Sequence, residues 1–228
     1  MDKSIHGSGN SKNELALLHL RKMAQKHVRP MLPKDIPAVV EIHIAAFSGY
    51  FTSMLGPKFL ALFYGEIQRS SSAVTYVFER DGRVLGFSVG TFSHGGFYRR
   101  LFLRRWFPFA VYSFAAVLKQ PTILVRVVRS LFQRVAKPSQ KDLAVLGPTA
   151  VFPDEEGRGY GLMMVSAFLD HVKEVGGKQV RAEVRKEDQN LIRAYQNMGF
   201  AVLRETNVPS GTVLVELCYR IGNGDGHD

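Results

Sequence analysis

The chain has 228 residues, 46% of them hydrophobic and 22% charged, with 30 Lys plus Arg against 20 Asp plus Glu, a formal net charge of +10. Collagen-like, mucin-like and wholly disordered classes need far more Gly, Pro or Ser, or far fewer apolar residues, and this length suffices for one domain with a sizeable core. Cys218 is the single cysteine, which excludes an internal disulfide framework and a cysteine-rich metal site and fits a reducing compartment.

The opening MDKSIHGSGN carries Asp2 and no apolar run, so a secretory signal is not expected and a cytoplasmic location is. Residues 1–12 read as a flexible start, and Leu15, Leu18 and Met23 predict a short amphipathic helix over 13–26. A short strand is expected at 28–32, a turn at Pro33-Lys34-Asp35, and helices over 36–47 and 56–70. Residues 74–92 hold two apolar stretches around Asp81-Gly82, the signature of a tight antiparallel hairpin. A further strand is expected at 143–152, a helix over 162–177 ending on paired glycines, a strand at 179–185 and a helix over 188–198. Two strands joined by Pro209-Ser210-Gly211 follow, and the GNGDGHD tail, 222–228, reads as disordered. This order predicts an α/β fold with a mixed-direction sheet in a single domain over 27–221.

Residues 96–141 interrupt the order. Between Asp81 and Asp142 there is no acidic residue, while Arg99, Arg100, Arg104, Arg105, Lys119, Arg126, Arg129, Arg134, Lys137 and Lys141 accumulate. Such a block is an electrostatic footprint for a phosphate-bearing partner: nucleic acid, an anionic membrane or a phosphorylated small molecule. The stretch WFPFAVYSFAAVL has 13 uncharged residues, too few for a spanning helix of about 20. Further on, Arg126, Arg129, Gln133 and Lys137 recur at helical spacing opposite Ile123, Val127, Leu131 and Val135, which fits a helical insertion lying on a membrane interface or closing over a phosphorylated substrate. Phe97, Tyr98 and Trp106 stand among arginines, a mixture shared by base-stacking and membrane-surface segments. No nucleic-acid reading motif accompanies the charge, so no nucleic-acid partner is expected.

In Val151 to Leu162, VFPDEEGRGYGL, a strand gives way to a proline turn and then to Gly157, Gly159 and Gly161 opening a long helix. Exposed N–H groups at a helix start, with the positive end of its dipole, bind anions, and glycine lets the backbone come close. The spacing is neither the dinucleotide fingerprint nor a P-loop, since no ribose-binding acid and no Lys-Ser or Lys-Thr pair fits around it.

Taken with AEVRKEDQNLIRAYQNMGF downstream, VFPDEEGRGYGLMM resembles the acyl-CoA-binding and following segments of the GNAT superfamily of N-acetyltransferases. Gly159 and Gly161 match the two motif glycines, and Tyr195, Gly199 and Phe200 match the Tyr-x-x-x-Gly-Phe helix end. The resemblance implies a mostly antiparallel central sheet flanked by helices, with acetyl-CoA as co-substrate. It implies that the pyrophosphate lies on the N–H groups of Gly157, Arg158, Gly159, Tyr160, Gly161 and Leu162, with Arg158 as a cationic contact. The pantetheine would lie along the strand ending at Ala150-Val151, where a backbone N–H polarises the thioester carbonyl. Tyr195 would be the general acid that protonates the departing thiolate. Glu183, 12 residues earlier in an EVR context, is similar to the base of ribosomal-protein alanine acetyltransferases. Alternation along RAEVR leaves open which face of the sheet it takes, and pairing with a neighbouring arginine is the other reading.

Two positions depart from the family pattern. Glu156 stands where Gln or Arg is usual, a carboxylate close to the expected pyrophosphate that Arg158 is expected to offset. Asp188 replaces a frequent Asn and is expected to cap the following helix near the cofactor. Tyr50-Phe51 falls where the superfamily commonly lines its acceptor pocket. His19, His27, His43, His94 and His171 show no metal-site spacing, and no metal is expected. The implied activity is acetyl transfer to a primary amine. The basic segment favours an anionic or membrane-associated acceptor, such as a nucleotide- or lipid-linked amino sugar of bacterial surface polysaccharide assembly, with peripheral contact at the inner membrane face through 97–137. A long-chain N-acyltransferase and a non-catalytic CoA-binding or membrane-recruited module are the alternatives.

Overall fold

The computed structural model describes residues 18–92, 107, 109, 111–112, 142–208 and 211–222. The predicted insertion at 96–141 therefore lies outside the described residues except at four positions, as do the chain start and most of the tail.

Helix α1, over residues 18–27, leads into β1, Val28–Pro30. Pro33–Asp35 forms a 3-10 turn whose carboxylate, Asp35, is buried against Arg29 at 2.7 Å and accepts from Leu32 N–H at 2.8 Å. Helix α2, Ile36–Ala46, follows with Pro37 in its first turn, where a missing N–H costs nothing. A four-residue helix α3, Phe51–Met54, precedes α4, Pro57–Gln68. α3 has no counterpart in the sequence reading, since one turn is too short to show a hydrophobic period.

Strands β2, Ala73–Arg80, and β3, Arg83–Thr91, form the expected hairpin. Asp81 and Gly82 take φ of 53° and 74°, the two positive values a type I′ turn requires. β4, Leu143–Val151, then a 3-10 turn at Pro153–Glu155, leads into α5, Tyr160–Glu174. β5, Gln179–Arg185, α6, Gln189–Asn197, β6, Ala201–Asn207, and β7, Val213–Arg220, follow among the described residues.

The seven strands form one sheet in the order β1-β2-β3-β4-β5-β7-β6. β4 and β5 are its parallel pair and the remaining neighbours are antiparallel. One face packs Val77, Phe87, Val89 and Ala150 against α2 and α4 through Val39, Ile42, Leu60 and Tyr64. The other face packs Ala144, Leu146, Val180, Ala182 and Val184 against Val165, Phe168 and Leu169 of α5 and Ile192 and Tyr195 of α6. α1 joins that second side, with Ala24 buried among Phe78, Tyr160 and Met164 and Arg21 3.0 Å from Asp170.

Contact between α5 and the sheet is close enough to dictate two glycines. A Cβ on Gly90 would stand 2.2 Å from the Phe168 ring, and one on Gly86 would stand 2.8 Å from Val151 and 2.9 Å from Met164. Absence of side chains there lets the helix that begins at the glycine-rich turn lie flat on β3 and β4.

Candidate active site

The parallel strands part company in the middle of the sheet. β4 and β5 pair from Leu143/Gln179 to Leu146/Ala182, where their ladder ends. The cause lies on the other edge of β4, whose partners Thr149 and Leu146 pair with Ser88 and Gly90 of β3. Two residues, Gly147 and Pro148, therefore face the single residue Val89, which makes a β-bulge. A bulge bends its strand, and Pro148 has no N–H to offer a neighbour.

Beyond the bulge β4 follows β3, while β5 stays with β7, pairing Glu183, Val184 and Arg185 with Glu216, Val215 and Leu214. A wedge opens at the carboxyl ends of the two strands, the end where open α/β sheets bind ligands. Phe152 N–H donates to Leu85 O at 3.0 Å on the β3 side, so alternation directs the Ala150 N–H the same way and the Thr149 and Val151 N–H groups into the wedge. The Ala150 side chain is buried on the α2 face.

From Val151 the chain turns into Gly157 and Gly159, with φ of 76° and 80°. Both values lie in the left-handed region that glycine takes without a steric penalty. Among the described residues a Cβ on either would meet no atom within 4 Å, and one on Gly161 would meet only the Thr149 methyl, at 4.0 Å. The packing of the described residues thus leaves the space before the α5 N-terminus open, and the N–H groups of that first turn have no helical partners. This cradle fits the phosphates of a CoA thioester.

The side chains of the turn are arranged differently from expectation. Arg158 pairs with Glu155, Nε to Oε2 at 3.2 Å, rather than offsetting Glu156, which is exposed. The reason is helical-turn spacing, which brings residues three apart onto one side. Tyr160 is buried, stacked on Phe78 at 4.0 Å with its hydroxyl accepting from Arg80 at 2.5 Å, so only its backbone faces the turn. Leu162 packs partly into the core. Asp188 occupies the N-cap of α6, but its carboxylate makes no cap hydrogen bond. Its ψ of 57° departs from the extended geometry that aims a capping side chain at the helix, and its N–H donates to Arg185 O instead.

The register decides the face of Glu183. Val180, Ala182 and Val184 point into the core beneath α5 and α6, so Arg181, Glu183 and Arg185 face the α2 and α4 side. The Glu183 side chain is exposed there. Its neighbour Arg181 is engaged by Glu216 at 3.2 Å, and that buried carboxylate also accepts from Arg204 at 2.6 Å. Tyr195 lies on the opposite face, 5% exposed, in the cluster of Leu146, Ala182 and Val184 at the fork. Phe200 meets its ring edge-on at 5.0 Å. Burial pushes the Tyr195 phenol well above its usual range, so it remains a protonated donor at physiological pH. Glu183 and Tyr195 thus lie on opposite faces of the sheet.

The loop after α2 lies against Arg185 on the Glu183 face. Tyr50 lies beneath the Arg185 guanidinium, 4.2 Å from Cζ to ring centroid, and meets Phe47 edge-on at 5.3 Å. His43, buried in α2, is a satisfied core residue: Nδ1 is 2.7 Å from Tyr64 Oη and Nε2 is 3.1 Å from Thr52 Oγ1. Burial lowers its pKa to about 4, keeping the imidazole neutral. Among the described residues no group of three His, Cys, Asp or Glu could hold a metal ion. His94, Phe97, Tyr98 and Trp106 lie outside the described residues. The sequence reading passed over Arg185 and the Gly147-Pro148 bulge, although a proline within a strand is a legible bulge signal.

A split parallel pair with an anion cradle beside it suits a phosphate-bearing ligand at this end of the sheet. Residues 36–200 match the family model described as Acetyltransferase (GNAT) family, and the chain belongs to that family. It is therefore an acetyltransferase whose co-substrate is acetyl-CoA. Among solved structures, the chain is similar to yncA of Salmonella typhimurium with its cofactor acetyl-CoA, at 16% identity and TM-score 0.56, covering 88% of this chain and 96% of that one. It is similar to the ribosomal-protein-S18-alanine N-acetyltransferase of Escherichia coli at 13% identity and TM-score 0.55, covering 88% and 98%. Ard1 of Thermoplasma volcanium is 20% identical with TM-score 0.55, covering 86% and 97%. These likenesses are of fold. Comparison with curated proteins gives no match.

Proposed function

We propose that this acetyltransferase acts on a primary amine, with Glu183 as the base and Tyr195 as the acid. The observation that carries the reading is the fork of β4 and β5, with Glu183 on one face of the sheet and a buried, protonated Tyr195 on the other. Acetyl-CoA supplies an acyl carbon activated as a thioester. The N–H groups from Gly157 to Leu162 hold its phosphates, and the Val151 N–H, turned into the wedge, orients the thioester carbonyl. Glu183 takes a proton from the ammonium, directly or through a water, on the face where the acceptor enters. Tyr195 Oη delivers its proton toward the sulfur on the far face. The catalytic domain spans 27–221.

The acceptor is an anionic or carrier-linked amine, such as an amino sugar on a nucleotide or lipid carrier. The ten basic residues and no acids between 96 and 141 support this choice, as does the amphipathic spacing over 123–137. Peripheral contact with an anionic membrane rests on the same segment. No helix among the described residues is long and apolar enough to cross a membrane.

The test is turnover of a panel of primary amines with acetyl-CoA by wild type and Glu183→Gln. The expected result is a fall of about 10²- to 10⁴-fold in kcat/KM with unchanged acetyl-CoA affinity. Equal turnover by the variant would assign Glu183 to the sheet surface alone.

A further inference from the structure

We propose that Arg185 is an anion-recognition residue of the acceptor site: its guanidinium, laid over the Tyr50 ring one strand repeat from Glu183, binds a phosphate or carboxylate carried by the amine. The inference rests on the proposed role of Glu183. Residues i and i+2 of a strand share a face and stand about 6.6 Å apart, so Arg185 reaches a group several bonds from an amine whose proton Glu183 removes.

Three observations single out this arginine. The first is its pairing. Arg181 and Arg204 bind Glu216, Arg29 binds Asp35 and Glu79, and Arg21 binds Asp170. Arg185 has no ion pair among the described residues, a trait it shares with Arg83, Arg193 and Arg220, but it stands on the Glu183 face of β5, with Glu187 and Asp188 near enough to act electrostatically on Tyr50. The second is its position. Cζ stands over the Tyr50 ring at 4.2 Å from the centroid, a cation–π contact that occupies one side of the guanidinium, and arginine offers an oxyanion a bidentate N–H geometry that lysine does not. The third is the support of the ring. Tyr50 precedes α3, Ser53 donates to Phe47 O at 2.7 Å, and Thr52 lies 3.1 Å from buried His43, so the platform is anchored to the α2 and α4 core. A half-buried cation held over a ring, without an ion pair among the described residues and beside the candidate base, is pre-organised for a charge that arrives with the substrate.

The test uses the full chain saturated with acetyl-CoA, so that the α5 cradle is filled. Line broadening of the ³¹P signal of inorganic phosphate is compared for wild type, Arg185→Gln and Arg185→Lys. Turnover is compared for glucosamine 6-phosphate and glucosamine. Wild type is expected to broaden phosphate at least about threefold more than Arg185→Gln, and to prefer the phosphorylated amine by about 10- to 100-fold in kcat/KM, as expected for a charge-assisted pair. Arg185→Gln brings that ratio toward one and Arg185→Lys lies between. Tyr50→Leu raises KM for the phosphorylated amine more than it lowers kcat, which a merely structural loss would not do. Equal broadening by wild type and Arg185→Gln overturns the proposal, as does weakened acetyl-CoA binding in Arg185→Gln, which would make it a CoA contact. If neither amine is acetylated, the transfer reading is contradicted for these acceptors, and the phosphate measurement still decides the role of Arg185.

Discussion

Replacing Gly161 with alanine separates the demands of the fold from those of the ligand. Gly161 is the second residue of α5 and lies outside the positive-φ set, so alanine suits its backbone. The added Cβ meets only the Thr149 methyl at 4.0 Å, an ordinary contact without strain. Alanine in place of a helical glycine stabilises by up to about 1 kcal/mol, and in a chain of this size that raises Tm by about 2–4 °C. The methyl projects from the turn whose N–H groups are proposed to hold the CoA phosphates. Displacing a phosphate oxygen by a fraction of an ångström removes one charge-assisted hydrogen bond, about 1.5–3 kcal/mol, or about 10- to 100-fold in Kd. Scanning calorimetry without ligand and isothermal titration with acetyl-CoA read the two effects separately. A higher Tm with unchanged Kd would refute the claim that this turn holds the phosphates, and a lower Tm would refute the steric reading.

Gly90→Ala sets a Cβ 2.2 Å from Phe168 and is expected to lower unfolding free energy by about 1–3 kcal/mol in urea titrations, with partial recovery in the Phe168→Leu background. The His43 imidazole has a folded-state pKa of about 4, below its unfolded value, so the unfolded chain takes up the proton first. Stability from this group is full above about pH 6.5 and lost as pH falls toward 4, by about 2 kcal/mol between pH 7 and 4.5. His43→Gln should flatten that part of the pH profile, and an unchanged slope would assign the loss elsewhere.

Local signals were the legible ones. Asp81-Gly82 announces its own turn because both residues tolerate positive φ, and the paired glycines after Glu174 end α5, with Gly176 at φ 78°. The anion cradle was legible because its glycines serve backbone geometry. What required the structure was nonlocal. RAEVR alternates equally well in either orientation, and only the packing of Ala182 and Val184 under α6 turns Glu183 toward α2. Arg185 looks like any strand arginine until Tyr50, 135 residues away in the chain, lies beneath it. Asp188 has the residue type and position of a cap but not the backbone angle. Arg158 is expected from the sequence to offset Glu156, whereas turn geometry pairs it with Glu155.

The central claim is proton delivery by Tyr195 during acetyl transfer to an amine. Transfer of labelled acetyl from acetyl-CoA to primary amines should fall about 10²- to 10⁴-fold in Tyr195→Phe, with acetyl-CoA binding unchanged. Because burial raises the phenol's pKa, wild-type kcat should show no alkaline loss from this group below about pH 10. Equal rates for the two proteins would contradict the account, and acetyl-CoA binding without transfer to any amine would make the fold a CoA-binding module.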